Sequence, residues 1–385
     1  MPSTYLDNAA TSFPKPDAVY DAIDQYNREV GAPVGRGSHQ RAVEVQSVVK
    51  RCRSRVAELF GAESPDRIIF TFNGTDSLNL AIHGLVEPGD HVITSVVEHN
   101  SVLRPLRDLQ DRCNVAVTYV DCDETGRIEP NDIKKALRPD TKLIALVHAS
   151  NVTGTIQPIA DVGEIARDSN AAFLVDAAQT AGHVPIDLQR LPIDLLALPG
   201  HKGLLGPLGT GVLSVRPGFE DSLISVRQGG TGSQSEDDRQ PCVMPDKYES
   251  GNHNAPGLFG LDAGLGYLLD RGIESIQKHE LELTGQLLDG LSSVDGVRIV
   301  GPTTCDERAG VVSIACDLFE PQILATILDE NFGIQTRAGL HCAPLIHKRM
   351  GTFEAGGTVR FSIGPFNNAD NIAAALDAVR EIVSS

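Results

Sequence analysis

Positive charge is scarce: 33 Lys and Arg stand against 51 Asp and Glu in 385 residues, a net charge of −18. Such a chain can release few phosphate counterions, which argues against nucleic acid or an anionic membrane as its main partner. No apolar run approaches the roughly 18 residues that span a bilayer. The opening MPSTYLDNAATS has no basic stretch and no hydrophobic core, so no signal peptide is expected. The cysteines (Cys52, Cys113, Cys122, Cys242, Cys305, Cys316 and Cys342) include no CxxC pair. That disfavours a zinc knuckle or a thioredoxin-type centre, and the expectation is a reduced, cytoplasmic protein with free thiols. Nucleotide motifs are missing too, with no GxxxxGK and no GxGxxG after a strand. There is no GxSxG elbow, and the HELEL stretch from His279 lacks the second histidine of a zinc protease.

What is present is an ordinary globular composition, 41% hydrophobic and 22% charged, long enough for two or three domains with a large core. Helical periodicity covers 17–30 and 40–60, and Gly61 makes a good C-cap for the second helix. Short apolar strands follow at 68–72, 91–95, 115–120, 143–148, 172–176, 195–198 and 211–215. Helical stretches lie between several of them, near 130–138 and 160–168. This alternation indicates a mostly parallel sheet covered on both faces. The stretch 228–257 opens with Gly, Ser and acidic residues and reads as a long loop. A second unit begins near 275, with strands at 311–314 and 358–363 and helices at 321–331 and 369–382. No internal repeat or low-complexity tract is evident.

Several polar residues fall where strands should end. Asp176 closes an apolar strand, and a carboxylate there needs a cationic or protonated partner, such as a pyridinium nitrogen; an Asp in that place also caps helices. Lys202, in Gly200-His201-Lys202-Gly203, follows another strand. A lysine there can approach a ligand closely, and desolvation lowers its pKa toward that of an imine-forming nucleophile. Asn73-Gly74-Thr75 leads from a strand into a helix N-terminus and offers amides and a hydroxyl to a phosphate, or simply caps the helix. His99 could stack on a flat ring or be structural. Arg337 to Pro344 is an irregular, glycine-containing segment in which Cys342 has Arg337 and His341 nearby, a setting that favours thiolate. Arg360, inside a strand, wants a bidentate carboxylate. Cys52 lies among Arg51, Arg53 and Arg55 and could also be acidified.

Singly these signals are weak, but their order and contexts resemble the class V, fold-type I family of pyridoxal-phosphate enzymes, and within it the cysteine desulfurases. The resemblance runs from Tyr5-Leu6-Asp7-Asn8-Ala9-Ala10 to the last helix. The Gly200-His201-Lys202 and Val175-Asp176-Ala177-Ala178-Gln179 blocks carry it. Arg337-Ala338-Gly339-Leu340-His341-Cys342-Ala343-Pro344 resembles the short cysteine loop of the group II, selenocysteine-lyase-like branch. The resemblance implies an α/β fold: a large domain, 16–270, with a mostly parallel seven-stranded sheet, plus a smaller α+β domain from 1–15 and 271–385 that carries the cysteine loop.

It also implies roles. Lys202 would hold pyridoxal phosphate. Asp176 would pair with the ring nitrogen, Gln179 would reach the ring hydroxyl, and His99 would stack on the ring face. Gly74, Thr75 and His201 would bind the phosphate. Asn151 would lie beside ring and substrate. Arg360 would clamp the substrate carboxylate, with Asn8 and Arg337 on the substrate side, and Cys342 would take sulfur. No metal is implied. Two departures stand out. Pro199 replaces a Ser or Thr that contacts phosphate in relatives. Asn252 replaces a threonine lent to the other subunit's phosphate, where Thr231 could help. The expected activity is conversion of L-cysteine to L-alanine by a homodimer, with a persulfide on Cys342 passed to an acceptor protein that feeds iron–sulfur cluster assembly. Selenocysteine lyase, or a class V aminotransferase or epimerase, is the alternative.

Overall fold

The computed structural model describes residues 3–35, 37–234 and 236–384; Met1, Pro2, Arg36, Ser235 and Ser385 lie outside the described residues. The ends of the small-domain segments expected at 1–15 and 271–385, and one position of the expected loop at 228–257, fall on these. The strands in chain order are β1 (Thr4–Tyr5), β2 (Ile68–Thr71), β3 (His91–Ser95), β4 (Ala116–Val120), β5 (Thr141–Val147), β6 (Ala172–Asp176), β7 (Leu195–Pro199) and β8 (Gly211–Val215). Then come β9 (Val297–Val300), β10 (Val311–Cys316), β11 (Ile334–Gln335), β12 (Arg337–Gly339) and β13 (Thr358–Ser362).

Among the described residues, a seven-stranded sheet runs in the order β2-β8-β7-β6-β5-β3-β4. Pairing is parallel from β7 through β4, while β8 runs antiparallel to both its neighbours. β2, β3, β6, β7 and β8 are buried at every residue, as strands covered on both faces must be. One apolar cluster packs helix Gln40–Phe60 and helix Ala255–Arg271 on one face. Another packs helices Gly74–Leu85 and Asn100–Cys113 on the other. With β8 the reversed strand, the carboxyl ends of β2, β3, β5, β6 and β7 all open on one edge, where ligands of such sheets bind.

A second, antiparallel sheet, β12-β13-β10-β9, has its own core with helices Ile273–Ser292, Pro321–Phe332 and Ala369–Ser384. The N-terminal arm ties it in: β1 pairs with β11, and Asp7 bridges to Ser362. Two findings differ from expectation. The last three residues of the expected loop, 255–257, already belong to a helix, Ala255–Arg271, which a break at Gly272 separates from a second, Ile273–Ser292; neither helix was expected from the sequence. The segment from Arg337 is not wholly irregular, since β12 pairs with β13 before the chain turns.

Candidate active site

The open edge of the large sheet holds a cavity of about 200 Å³. Gly74, Thr75, His99, Asn151, Asp176, Gln179, His201, Lys202, Arg337 and Arg360 all line it. They are far apart in sequence and arrive from five strand ends and from the second sheet.

Asp176 is the last residue of β6 and is 3% exposed. Burial raises its pKa, while the Ala178 amide, donating at 2.9 Å, and the charge of Lys202 oppose the rise. Lys202 follows β7 in a turn that glycines make possible. A Cβ on Gly203 would collide with the Ala181 carbonyl oxygen, and one on Gly200 with the Thr210 hydroxyl. Burial pushes the Lys202 ammonium down to about 8; Asp176 opposes this, and Arg360 and Arg337 reinforce it. A lysine so tuned is a usable base and nucleophile near neutrality.

His99 caps helix Asn100–Cys113, its Nδ1 accepting the Ser101 amide at 3.1 Å. Burial, then the charge of Lys202, hold its ring near a pKa of about 4, so it presents a neutral face. Ser101 Oγ also meets Thr75 Oγ1 at 2.7 Å, which joins the starts of two helices. Gly74 and Thr75 open helix Gly74–Leu85, where amides have no intrahelical partner and an anion is favoured. Pro199 packs 3.3 Å from where a Cβ on Gly74 would stand, so it acts as a wall there. His201, brought down to about 4 by burial, has a buried Nδ1 without a hydrogen-bond partner.

The second sheet supplies the cationic wall. Arg337 and Arg360 face each other across β12 and β13. Arg360 is 1% exposed; its Nη2 donates to Asp7 Oδ1 at 2.7 Å, its Nη1 to the Asn151 carbonyl at 3.1 Å, and its Nε is buried without a partner. One carboxylate against two guanidiniums leaves a positive excess that fits a substrate carboxylate. Past β12, His341 and Cys342 both take left-handed backbone, with φ of 48° and 59°. The Asn151 amide holds the His341 carbonyl at 2.6 Å, and the Asn100 amide holds the Cys342 carbonyl at 2.7 Å. Cys342 is exposed, with Arg337 Nη2 3.7 Å from its sulfur.

Three expected residues do not line this cavity: Cys342, which stands beside it against Arg337, Asn8, and Asn252, which was expected at the other subunit's phosphate. Asn8 is buried away from it: its Nδ2 donates to the Ser362 carbonyl and Asn367 Oδ1, and its Oδ1 accepts the Phe13 amide. Its neighbour Asp7 is the residue that meets Arg360, and sequence reasoning missed it. Asn252 lies exposed in a separate cleft with Phe72, Gly209 and Arg227. Cys52 is fully buried, and burial raises its thiol well above the usual value despite three nearby arginines.

The model of the family "Aminotransferase class-V" matches residues 4–375. The chain belongs to that family. A probable cysteine desulfurase of Methanothermobacter thermautotrophicus is 36% identical, over 98% of this chain and 94% of the relative. A cysteine desulfurase of Haloferax volcanii is 32% identical, over 99% and 90%. Among solved structures, an apo cysteine desulfurase from Thermococcus onnurineus matches with a TM-score of 0.93 at 34% identity, covering 99% of this chain and 95% of that one. A cysteine desulfurase from Escherichia coli matches at 0.89 and 28% identity, with 99% and 95% covered.

Aminotransferase class-V desulfurases use pyridoxal phosphate, and this cavity fits it. The acid at β6, the depressed lysine after β7, the neutral His99 and the open helix start at Gly74 supply what an aldehyde, a protonatable ring and a phosphate each require. The unpartnered His201 Nδ1 adds a polar group still without a mate.

Proposed function

We propose that this protein is a cysteine desulfurase that converts L-cysteine to L-alanine and takes the sulfur onto Cys342. The observation that carries the reading is the pinned loop. The Cys342 carbonyl is held by the amide next to His99, so an exposed thiol stands beside the cofactor cavity with a guanidinium near its sulfur. Transamination and epimerisation need no such thiol.

Bound pyridoxal phosphate supplies an electron sink for the pair left at the substrate's α-carbon. Lys202 would hold the cofactor, and its free amine would take the substrate's α-proton as a base. Asp176 keeps the ring nitrogen protonated, Gln179 serves the ring hydroxyl, and Gly74, Thr75 and His201 hold the phosphate. Arg360, with Arg337, orients the substrate carboxylate, and Asn151 lies beside ring and substrate. The Cys342 thiolate attacks the substrate sulfur. The carbon–sulfur bond pair goes to the β-carbon, which takes a proton; Lys202 returns a proton to the α-carbon to give alanine, and the sulfur remains as a Cys342 persulfide.

The short stretch between β12 and helix Pro344–Arg349 supports the selenocysteine-lyase-like branch. Because Cys342 is exposed, its persulfide is available to a partner protein's thiol; free thiols and a transferable persulfide suit a reducing cytoplasm. We further take the protein to be a homodimer in which Asn252 serves the other subunit's phosphate site. We divide the chain into a large domain at 16–270 and a small one from 1–15 and 271–385.

The test is alanine and sulfide production from cysteine, with and without a reductant. Cys342→Ala is expected to retain cofactor and lose sulfur transfer. Mass spectrometry of cysteine-treated wild type without reductant should find one added sulfur on the Cys342 peptide. Added sulfur on another cysteine, or normal desulfuration by Cys342→Ala, rejects the reading.

A further inference from the structure

Glu98 is a fully buried carboxyl that no step above uses. It stands past the carboxyl end of β3, one residue before His99. Ser95 Oγ donates to its Oε1 at 2.6 Å and accepts the Val97 amide at 3.0 Å. Ser95 and Glu98 therefore staple the turn from which His99 emerges. The other oxygen, Oε2, is buried with no hydrogen-bond partner.

Glu98 also has an acidic neighbour. The Val147 amide acts on it, and Val147 is paired in register with Asp176 on the next strand. Both carboxyls are buried, and the charge of Asp176 acts on Glu98. The charged group felt by Glu98 is Asp176, while Lys202 acts on Asp176. The imidazoles at these strand ends, His99 and His148, are held neutral by burial. Two interacting buried carboxyls do not both ionise readily, and the one with better partners takes the charge. Asp176 has the Ala178 amide and Lys202. Glu98 has one hydroxyl, the Val147 amide and an anion for a neighbour, and burial pushes it up to about 8.

We propose that Glu98 is a positioning residue that works as a neutral acid: it staples the turn presenting His99 and leaves Asp176 the single anion facing the cofactor's ring nitrogen. The proposal rests on the pyridoxal-phosphate reading of the cavity. A second anion beside Asp176 would raise its proton affinity and weaken its selective hold on the ring proton.

Two substitutions separate the parts. Glu98→Gln keeps the shape without a titratable proton, and Glu98→Ala removes the staple. The melting temperature of the full chain, stripped and loaded, is followed from pH 5 to 9, and cofactor affinity is read from the visible absorbance. The folded chain keeps the Glu98 proton up to about pH 8, while the unfolded chain releases it near 4.5. Wild type therefore loses stability across that window and Glu98→Gln does not. The melting temperature of stripped Glu98→Gln minus that of wild type should climb from pH 5 to 8 and level off above. Cofactor affinity should weaken about tenfold in Glu98→Ala and return to within about threefold of wild type in Glu98→Gln. A melting difference flat with pH, or Glu98→Gln less stable than wild type at pH 8, overturns the neutral acid. Glu98→Gln binding cofactor no better than Glu98→Ala overturns the staple. Wild type that develops no visible band with pyridoxal phosphate rejects the cofactor reading instead, and the melting arm still reports on the Glu98 proton.

Discussion

At Lys202, burial brings the ammonium down to about 8 from an ordinary value of 10.5. The neutral amine is the nucleophile, so reloading of the stripped protein with pyridoxal phosphate should speed up with pH to about 8 and then level. An unshifted lysine would still be gaining speed well above that. Following the visible band at a series of pH values checks this, and borohydride reduction with peptide mapping should place the pyridoxyl label on Lys202. Asp176→Ala, loaded with cofactor, should turn over about a thousandfold more slowly, a loss of ~4 kcal/mol, since the ring nitrogen loses its anion; near-normal turnover would refute the role. Asp176 and Lys202 were legible in sequence because the first ends a short apolar strand and the second comes three residues after one, which puts a polar side chain at the binding edge. Asp7 and Asn8 were not distinguishable there. Their roles depend on which one the bridge to Ser362 turns toward Arg360. Glu98 carried no signal either, because its burial is decided by the β5 and β6 strand ends packed around it.

Elements with a clear stop or a single period were readable. Helix Gln40–Phe60 ends at Gly61, whose φ of 64° is the left-handed cap its residue type implies. Helix Ala255–Arg271 was hidden by the feature that lets it pack. Its glycines break the apolar period, yet a Cβ on Gly264 would stand 2.7 Å from the Leu204 oxygen, just past the lysine turn. Strand β9 was missed because three of its four residues are partly or fully exposed, which blurs the apolar pattern. Helix Ile273–Ser292 meets the lysine turn through Glu280, whose carboxylate lies 2.9 Å from His183 Nδ1 behind Gly203. The histidine's pKa is raised: burial opposes its charge, but Glu280 prevails. That stabilisation is complete below the unfolded value of 6.5 and fades as pH rises through the raised folded value. Glu280→Gln should therefore cost more stability at pH 6 than at pH 9, about 3 kcal/mol at the lower pH. Thermal melts at both pH values check it, and an equal loss at both would refute the ion pair.

For the whole molecule, the alternation of strands and helices was enough to expect a mostly parallel sheet, but the sequence could not show which strand runs backward. That depends on how β8 inserts between β2 and β7. No helix among the described residues is long and apolar enough to cross a membrane. Leu208 and Val226 are exposed beside Gly209 and Arg227, which line the cleft of Asn252, and Phe72 in that cleft is exposed too. If this face joins two copies, Leu208→Glu should shift the protein toward monomer in sedimentation and weaken cofactor binding; an unchanged dimer with normal affinity would move the interface elsewhere. The cysteine loop sets the last consequence. Cys342 sits three residues past the end of β12 and two before helix Pro344–Arg349, with its carbonyl tied down. On so short a leash the sulfur cannot swing out to a distant recipient. On the proposed reading, an acceptor's thiol therefore has to come to Cys342, not Cys342 to it.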